Sequence, residues 1–183
     1  MNLLEAIRMS ETEATACWTK IKTYLTSTSQ IDKLAKLGNM PPIIWSKFGF
    51  RTAGRYRWWT TSKKDQIEMN INFLNIEDPN KFIISTMRHE LAHCINQRIG
   101  SGGNHDASWK AIARLLGDDA GIYHEYGRPT NAPVRKTTIH SFDCTCGQHF
   151  DLTARRFTMA KNGRYRCASW GKNLSKVIHN LDN

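Results

Sequence analysis

The sequence predicts an α+β fold: a small antiparallel sheet packed on a helical core, followed by a small basic β module. Three observations carry this reading. Ile67, Met69, Ile71 and Phe73 alternate with Glu68, Asn70 and Asn72, the period of a strand that buries one face and leaves the other wet. Apolar residues recur at helical spacing near the N-terminus and again after Asp78. Charge is uneven, since residues 127–183 hold ten basic and three acidic side chains, so this third carries +7 of the total of +10.

Each element follows from local signals. Over 3–25, Leu4, Ile7, Ala14, Cys17, Trp18, Ile21 and Leu25 form one apolar stripe, which predicts a helix. Pro41 and Pro42 stop whatever precedes them, and Ile43, Ile44 and Trp45 read as a strand that runs toward a turn at Thr52, Ala53 and Gly54. Tyr56 to Trp59 read as a second strand and 67–73 as a third. Asp78 followed by Pro79 opens a helix, because the carboxylate accepts a free amide and proline at the first position lacks an N–H that had no partner. That helix runs to about Ile99, where Gly100, Gly102 and Gly103 end it. A further helix is expected from about Asp106 to Leu116, stopped by Gly117. Residues 118–139 read as an irregular connection, and the charge shift places the boundary between two units, 1–132 and 133–183.

At 183 residues and 40% hydrophobic content, the chain is long enough for one ordinary core plus an appendage and too short for two large domains. The charge of +10 favours polyanionic partners. No stretch approaches 18 apolar residues, and acidic side chains occupy the place of a signal peptide's apolar run, so no membrane partner is expected. The five cysteines are odd in number, and the Cys144-Thr145-Cys146 spacing suits a metal knuckle better than a disulfide framework. The expected setting is intracellular and reducing: cytoplasmic or nucleoid-associated, or nuclear in a eukaryote.

The strongest chemical signal is His89-Glu90-Leu91-Ala92-His93 inside the predicted helix. Positions i and i+4 share a helix face, so both imidazoles reach one zinc ion, and Glu90 is placed to hold and deprotonate a metal-bound water. With only three of five positions fixed, the pattern alone also admits two unmetallated histidines on an amphipathic helix. A catalytic zinc takes three protein ligands and one open position, and His105, just after the glycine-rich reversal, is the natural third, with His124 and then Glu125 as weaker rivals. In such a centre Glu90 accepts the proton of the attacking water and passes it to a leaving amine. Tyr123, His124 and Tyr126 are the downstream candidates for a second oxyanion donor. Trp18, Trp58, Trp59 and Trp109 read as core or cleft wall, and Cys17 and Cys94 as buried thiols.

The HELAH motif, followed by His105-Asp106-Ala107-Ser108-Trp109 and preceded by Thr52-Ala53-Gly54-Arg55-Tyr56, resembles the SprT-like family of zinc metalloproteases over roughly 40–175. The resemblance implies a zincin-like core, ligands at His89, His93 and His105, and a catalytic glutamate at Glu90. Spartan-type members bind DNA and cleave proteins crosslinked to it, which implies protein substrates and DNA, including single-stranded DNA, as partners. Family members commonly have glycine after the third histidine, where this chain has Asp106, a residue suited to cap the following helix.

The C-terminal segment resembles the family's zinc ribbon through Phe142 to Gly147, Leu152 to Arg156 and Tyr165 to Gly171. A four-cysteine ribbon would put its last ligand at Trp170, so Cys144, Cys146 and Cys167 remain, with His149, or less readily His140, to complete a second zinc site. The alternative is a ribbon without metal that packs Trp170 into the vacated space. Arg155, Arg156, Lys161, Arg164, Arg166, Lys172 and Lys176, interleaved with Phe157, Tyr165 and Trp170, are the candidate nucleic-acid contacts, directed at the backbone because no base-reading motif is present. Two functional classes thus stand: a zinc endopeptidase acting on DNA-associated proteins, and a DNA-binding adaptor that keeps the fold without turnover. Zinc hydrolase chemistry on a non-protein substrate is a third, minor reading.

Overall fold

The computed structural model describes residues 1–121, 126–134, 137–144, 146–169, 171, 173 and 174. Among the described residues the fold mixes helices with two small sheets, and it divides into two compact units, Met1–Ala132 and Pro133–Asn183.

The first unit begins with α1 (Leu3–Ser27), opened by Asn2, whose side chain accepts from the Glu5 amide while Glu5 accepts from the Asn2 amide. This reciprocal pairing satisfies two amides that the first helical turn leaves free. Its buried stripe is Ala6, Ser10, Ala14, Cys17, Trp18, Ile21 and Leu25. Leu4, expected on that stripe, is exposed, because Ala6 occupies the inward position of the first turn. A short helix outside the elements read from the sequence, α2 (Ile31–Leu37), follows.

Three strands make the first sheet: β1 (Ile43–Ser46), β2 (Gly54–Trp59) and β3 (Lys64–Asn70), in the order β1-β3-β2. The β2 and β3 strands pair antiparallel, but β1 pairs parallel with β3, which corrects the expected all-antiparallel sheet. The reason lies in the 47–53 connection, which passes over the end of β3 and is gathered by one side chain. The Asn70 amide donates to the carbonyls of Phe48, Gly49 and Thr52, so β1 ends and β2 starts at the same end of the strand between them. The third strand is also shifted from 67–73 to 64–70. Asn70 accepts from the Asn72 amide and turns the chain into a 3-10 helix at Ile71–Asn75. Nor does β3 leave one face wet: it is the central strand, and Glu68 on its outer face is covered by Arg55 and Arg57.

Helix α3 (Pro79–Ile99) opens as the sequence predicts, with Asp78 accepting from the Lys81 amide. It packs against α1, α2, the first sheet and α4 (Ala107–Leu116), and buries residues around most of its circumference, among them Phe82, Met87, Glu90, Leu91 and Ile95. Asp106 caps α4 and Gly117 ends it with φ of 90°, a left-handed conformation that glycine adopts without a Cβ penalty.

The second unit contains the hairpin β4 (Ile139–Asp143) and β5 (His149–Thr153), then α5 (Ala154–Lys161). Its core is Phe142, Cys144, Leu152, Ala160, Cys167 and Leu174. The expected β module therefore also carries a helix, because Ala160 and Phe157, three residues apart, bring one face of 154–161 onto the hairpin.

Candidate metal centre

The first unit brings His89, His93 and His105 together. Successive turns of α3 supply the first two imidazoles, and the 100–106 reversal returns His105 against the same helix. Their Nε2 atoms lie 3.2 Å (His89 to His93), 3.1 Å (His93 to His105) and 3.1 Å (His89 to His105) apart. A neutral imidazole nitrogen has one N–H or one lone pair in the ring plane, so three of them facing each other cannot all be satisfied by hydrogen bonds. One cation satisfies all three lone pairs. Nitrogens about 2.0–2.1 Å from a tetrahedral zinc ion are about 3.3 Å apart, close to the spacing found here. The donor set therefore fits zinc, with one position left for water or substrate.

Trp109, fully buried on α4, supports this arrangement. Its ring centroid lies 4.8 Å from that of His89, 5.1 Å from His93 and 4.5 Å from His105. Burial, with the neighbouring imidazoles, pushes the His93 pKa down to about 3, so this ring is neutral and available as a ligand at physiological pH. Burial and the Lys110 charge lower that of His105.

Glu90 is 7% exposed and sits on the sheet side of α3. Its Oε2 accepts from the backbone amide of Tyr56, at 2.7 Å, on edge strand β2. Burial pushes the carboxyl up to about 8, the Tyr56 hydrogen bond pulls the other way, and the Asp118 charge adds to the rise. Gly54 permits this close approach: a Cβ there would stand 2.5 Å from Thr86 Cγ2 and 3.3 Å from Glu90 Cγ.

His89 and Glu90 line two hollows. One, of about 440 Å³, is also bounded by Arg51, Lys81, Asp119 and Tyr126. The other, of about 420 Å³, runs between β2 and the 102–105 loop and reaches His93 and His105. An extended chain crossing both would pass the imidazole cluster and Glu90. Tyr126 packs edge-on against Phe82, with its hydroxyl 3.4 Å from Thr86 Oγ1. Tyr123, His124 and Glu125 lie outside the described residues.

Sequence reasoning missed four contributors. The Tyr56 amide is invisible in the sequence because a backbone N–H carries no residue identity. Asp65 accepts from the Tyr56 hydroxyl at 2.9 Å and from Arg98 at 2.7 and 2.9 Å, which ties the sheet to α3. Asn96 holds the 100–106 reversal. Gly54 had a usable signal, since glycine at a strand position often marks close backbone approach. Of the tryptophans expected in the core or cleft wall, Trp18 and Trp109 are in the core and Trp58 is half-buried, while Trp59 is exposed at the edge. Cys17 and Cys94 are buried, and burial raises both thiol pKa values.

In the second unit, the thiols of Cys144, Cys146 and Cys167 converge within 4.8 Å of one another. Their turns are tight: the Cys144 amide donates to the Gln148 carbonyl, and Gly147 follows Cys146 with φ of 84°. Three thiolates suit a soft or borderline ion. Among the described residues, no histidine or carboxylate joins this cluster. The His149 ring instead pairs with Asp143 at 2.6 Å and Asp151 at 3.3 Å, and His140 stacks on Phe157 with centroids 4.1 Å apart. Trp170 lies outside the described residues. Arg155, Arg156, Arg164 and Arg166 are exposed, while Lys161 is half-buried with its ammonium 5.3 Å above the Phe157 ring. The first two and Lys161 are on helix α5. Lys172 and Lys176 lie outside the described residues.

Among the described residues, no helix is long and apolar enough to cross a membrane. Comparison with curated proteins found no match, and comparison with solved structures found none either. The SprT-like family model matches residues 26–137, a span that includes β1 to β3, α3, α4, the three histidines and Glu90 but not the C-terminal cysteines. With that match covering more than half of its residues, the chain belongs to the SprT-like family.

Proposed function

We propose that the protein is a zinc-dependent endopeptidase that cleaves DNA-associated proteins, including those crosslinked to DNA. The observation that carries this reading is the convergence of three imidazole nitrogens within 3.2 Å beside a buried glutamate in a cleft. His89, His93 and His105 would hold the ion. When bound, zinc acts as a Lewis acid on a carbonyl and lowers the pKa of water toward neutrality. The chain's own residues supply the rest. Burial alone favours the protonated Glu90 carboxyl, and the charge of a bound ion would favour the carboxylate. That carboxylate, held by the Tyr56 amide, accepts a proton from the attacking water as its oxygen bonds to the peptide carbon, and returns it to the nitrogen as the C–N bond breaks. The edge strand β2 borders the cleft and gives an extended substrate a backbone to follow.

The exposed arginines of the second unit support DNA as a partner, through its phosphates rather than its bases. The three thiols support a second, structural zinc ion in that unit.

The test is cleavage of a basic DNA-binding protein by the zinc-loaded chain and by Glu90→Gln, with and without single-stranded DNA, with metal content measured on the same samples. Cleavage by the parent alone is the expected result. No cleavage despite bound zinc and tight DNA binding would overturn the peptidase reading in favour of a DNA-binding adaptor.

A further inference from the structure

The third histidine stands in an unusual backbone. His105 has φ of 54°, in the left-handed region that non-glycine residues seldom occupy. Such conformations persist where the surroundings over-determine them, and they cluster at functional sites. Here the surroundings are two side chains. Asn96, one turn past His93 on α3 and 1% exposed, donates through Nδ2 to the Gly103 carbonyl at 2.7 Å and to Asp106 Oδ1 at 3.4 Å. Asp106 accepts from the Trp109 amide at 2.8 Å, which starts α4, and from the Ser101 hydroxyl through its other oxygen. The residues on both sides of His105 are thus tied to the helix that carries His89 and His93. Gly100 belongs to the same arrangement, since a Cβ there would collide with Asn96 Oδ1.

We propose that Asn96 and Asp106 are positioning residues that set the metal affinity of the centre by holding His105 in this conformation, an inference that rests on reading the three imidazoles as a zinc site. Without the clamp the 100–106 reversal, with three glycines, has many other conformations to visit, and ordering it falls to the ion. With the clamp, that ordering is completed by folding. The residue that departs from the usual glycine after the third histidine is therefore part of the ligand-holding apparatus. Asparagine keeps the one oxygen that accepts from Asn96 and Trp109, and its amide nitrogen can donate to the Ser101 hydroxyl where the second carboxylate oxygen of Asp106 accepts from it.

The test is a double-mutant cycle on the full chain, with zinc affinity measured by competition against a chromophoric chelator and coordination followed by the visible spectrum of bound Co²⁺. Asn96→Ala and Asp106→Ala are each expected to weaken zinc binding about 10- to 100-fold, the usual loss for an outer partner of a metal ligand. Asp106→Asn is expected to bind close to the parent and to keep its Co²⁺ spectrum. In a His105→Ala background, Asp106→Ala is expected to cost nothing further, because the ligand it acts through is gone; this comparison also cancels any ion held by the C-terminal cysteines. Equal losses in both backgrounds, or a lower melting temperature with unchanged affinity, would overturn the clamp while leaving the zinc site standing. A His105→Ala chain that binds zinc as tightly as the parent would overturn both.

Discussion

The backbone amide of Tyr56 donates to Oε2 of Glu90 across 2.7 Å, joining the edge strand of the sheet to the glutamate of the histidine helix. The bond exists because the amide of an edge strand has no neighbouring strand to meet on that side and because Gly54, two residues earlier, lets β2 lie against α3. A change in the strand's position is therefore felt at the carboxylate.

Gly54→Ala tests that coupling. Its Cβ would press on Thr86 and Glu90, and overpacking of this kind costs about 1–3 kcal/mol. The expected result is a folded, zinc-loaded chain whose cleavage falls much further than its melting temperature. Equal activity in parent and variant would show that Glu90 tolerates displacement of the strand.

The ion pair between Asp65 and Arg98 is shielded, with side-chain exposures of 7% and 15%. Asp65→Ala leaves the guanidinium without its partner and frees the Tyr56 hydroxyl, so a loss of about 3–5 kcal/mol is expected in denaturant unfolding. Replacing both charges by apolar residues should restore only part of it. Arg98 also donates to the carbonyls of Leu37 and Asn39 at the end of α2, and these would be orphaned.

Acid should weaken the outer face of the sheet through Glu68. Burial pushes its carboxyl up, but hydrogen bonds from Arg55, Gln66 and Arg57 outweigh that and hold it below the ordinary 4.5. A carboxylate with a lowered folded-state pKa stabilises fully above its unfolded value and loses that contribution as pH falls through the folded value. Parent and Glu68→Gln should therefore differ by about 1 kcal/mol near neutrality, a modest figure because the arginines are 44% exposed. The gap should close in acid; one that persists there would mean the charge is not its source.

Metal content separates the C-terminal thiols from their neighbour. Two zinc ions per chain are expected in the parent and one in Cys167→Ser, with the second retained in His149→Ala because that ring pairs with Asp143 and Asp151. One ion lost in His149→Ala would show that the ring leaves those carboxylates to bind metal.

DNA binding by the second unit should weaken with salt. Reversing Arg155 and Arg156 to glutamate is expected to flatten the dependence of log K on log salt, measured with single-stranded DNA, by about 0.7 for each phosphate no longer neutralised. An unchanged slope would mean that DNA is held by other residues.

Much of this molecule is legible without coordinates because its signals are local. The caps of α3 and α4, the terminators Gly100 and Gly117, and the i, i+4 pairing of His89 with His93 depend on residues within one or two turns, and helix geometry converts their spacing directly into position. The α+β class follows from the same periodicities. What only the tertiary structure decided depends on residues far apart in the chain: the parallel pairing of β1 with β3, the arrival of the Tyr56 amide at Glu90, the Asp65 to Arg98 link, and the direction taken by His149. Strand order is set by which loop can cross which strand end, here by Asn70 gathering three carbonyls, and no period in the sequence encodes that. His105 stands between the two cases. Its residue type and distance from His93 mark it as the candidate third ligand, but its left-handed backbone and the Asn96 and Asp106 side chains decide where its imidazole comes to rest.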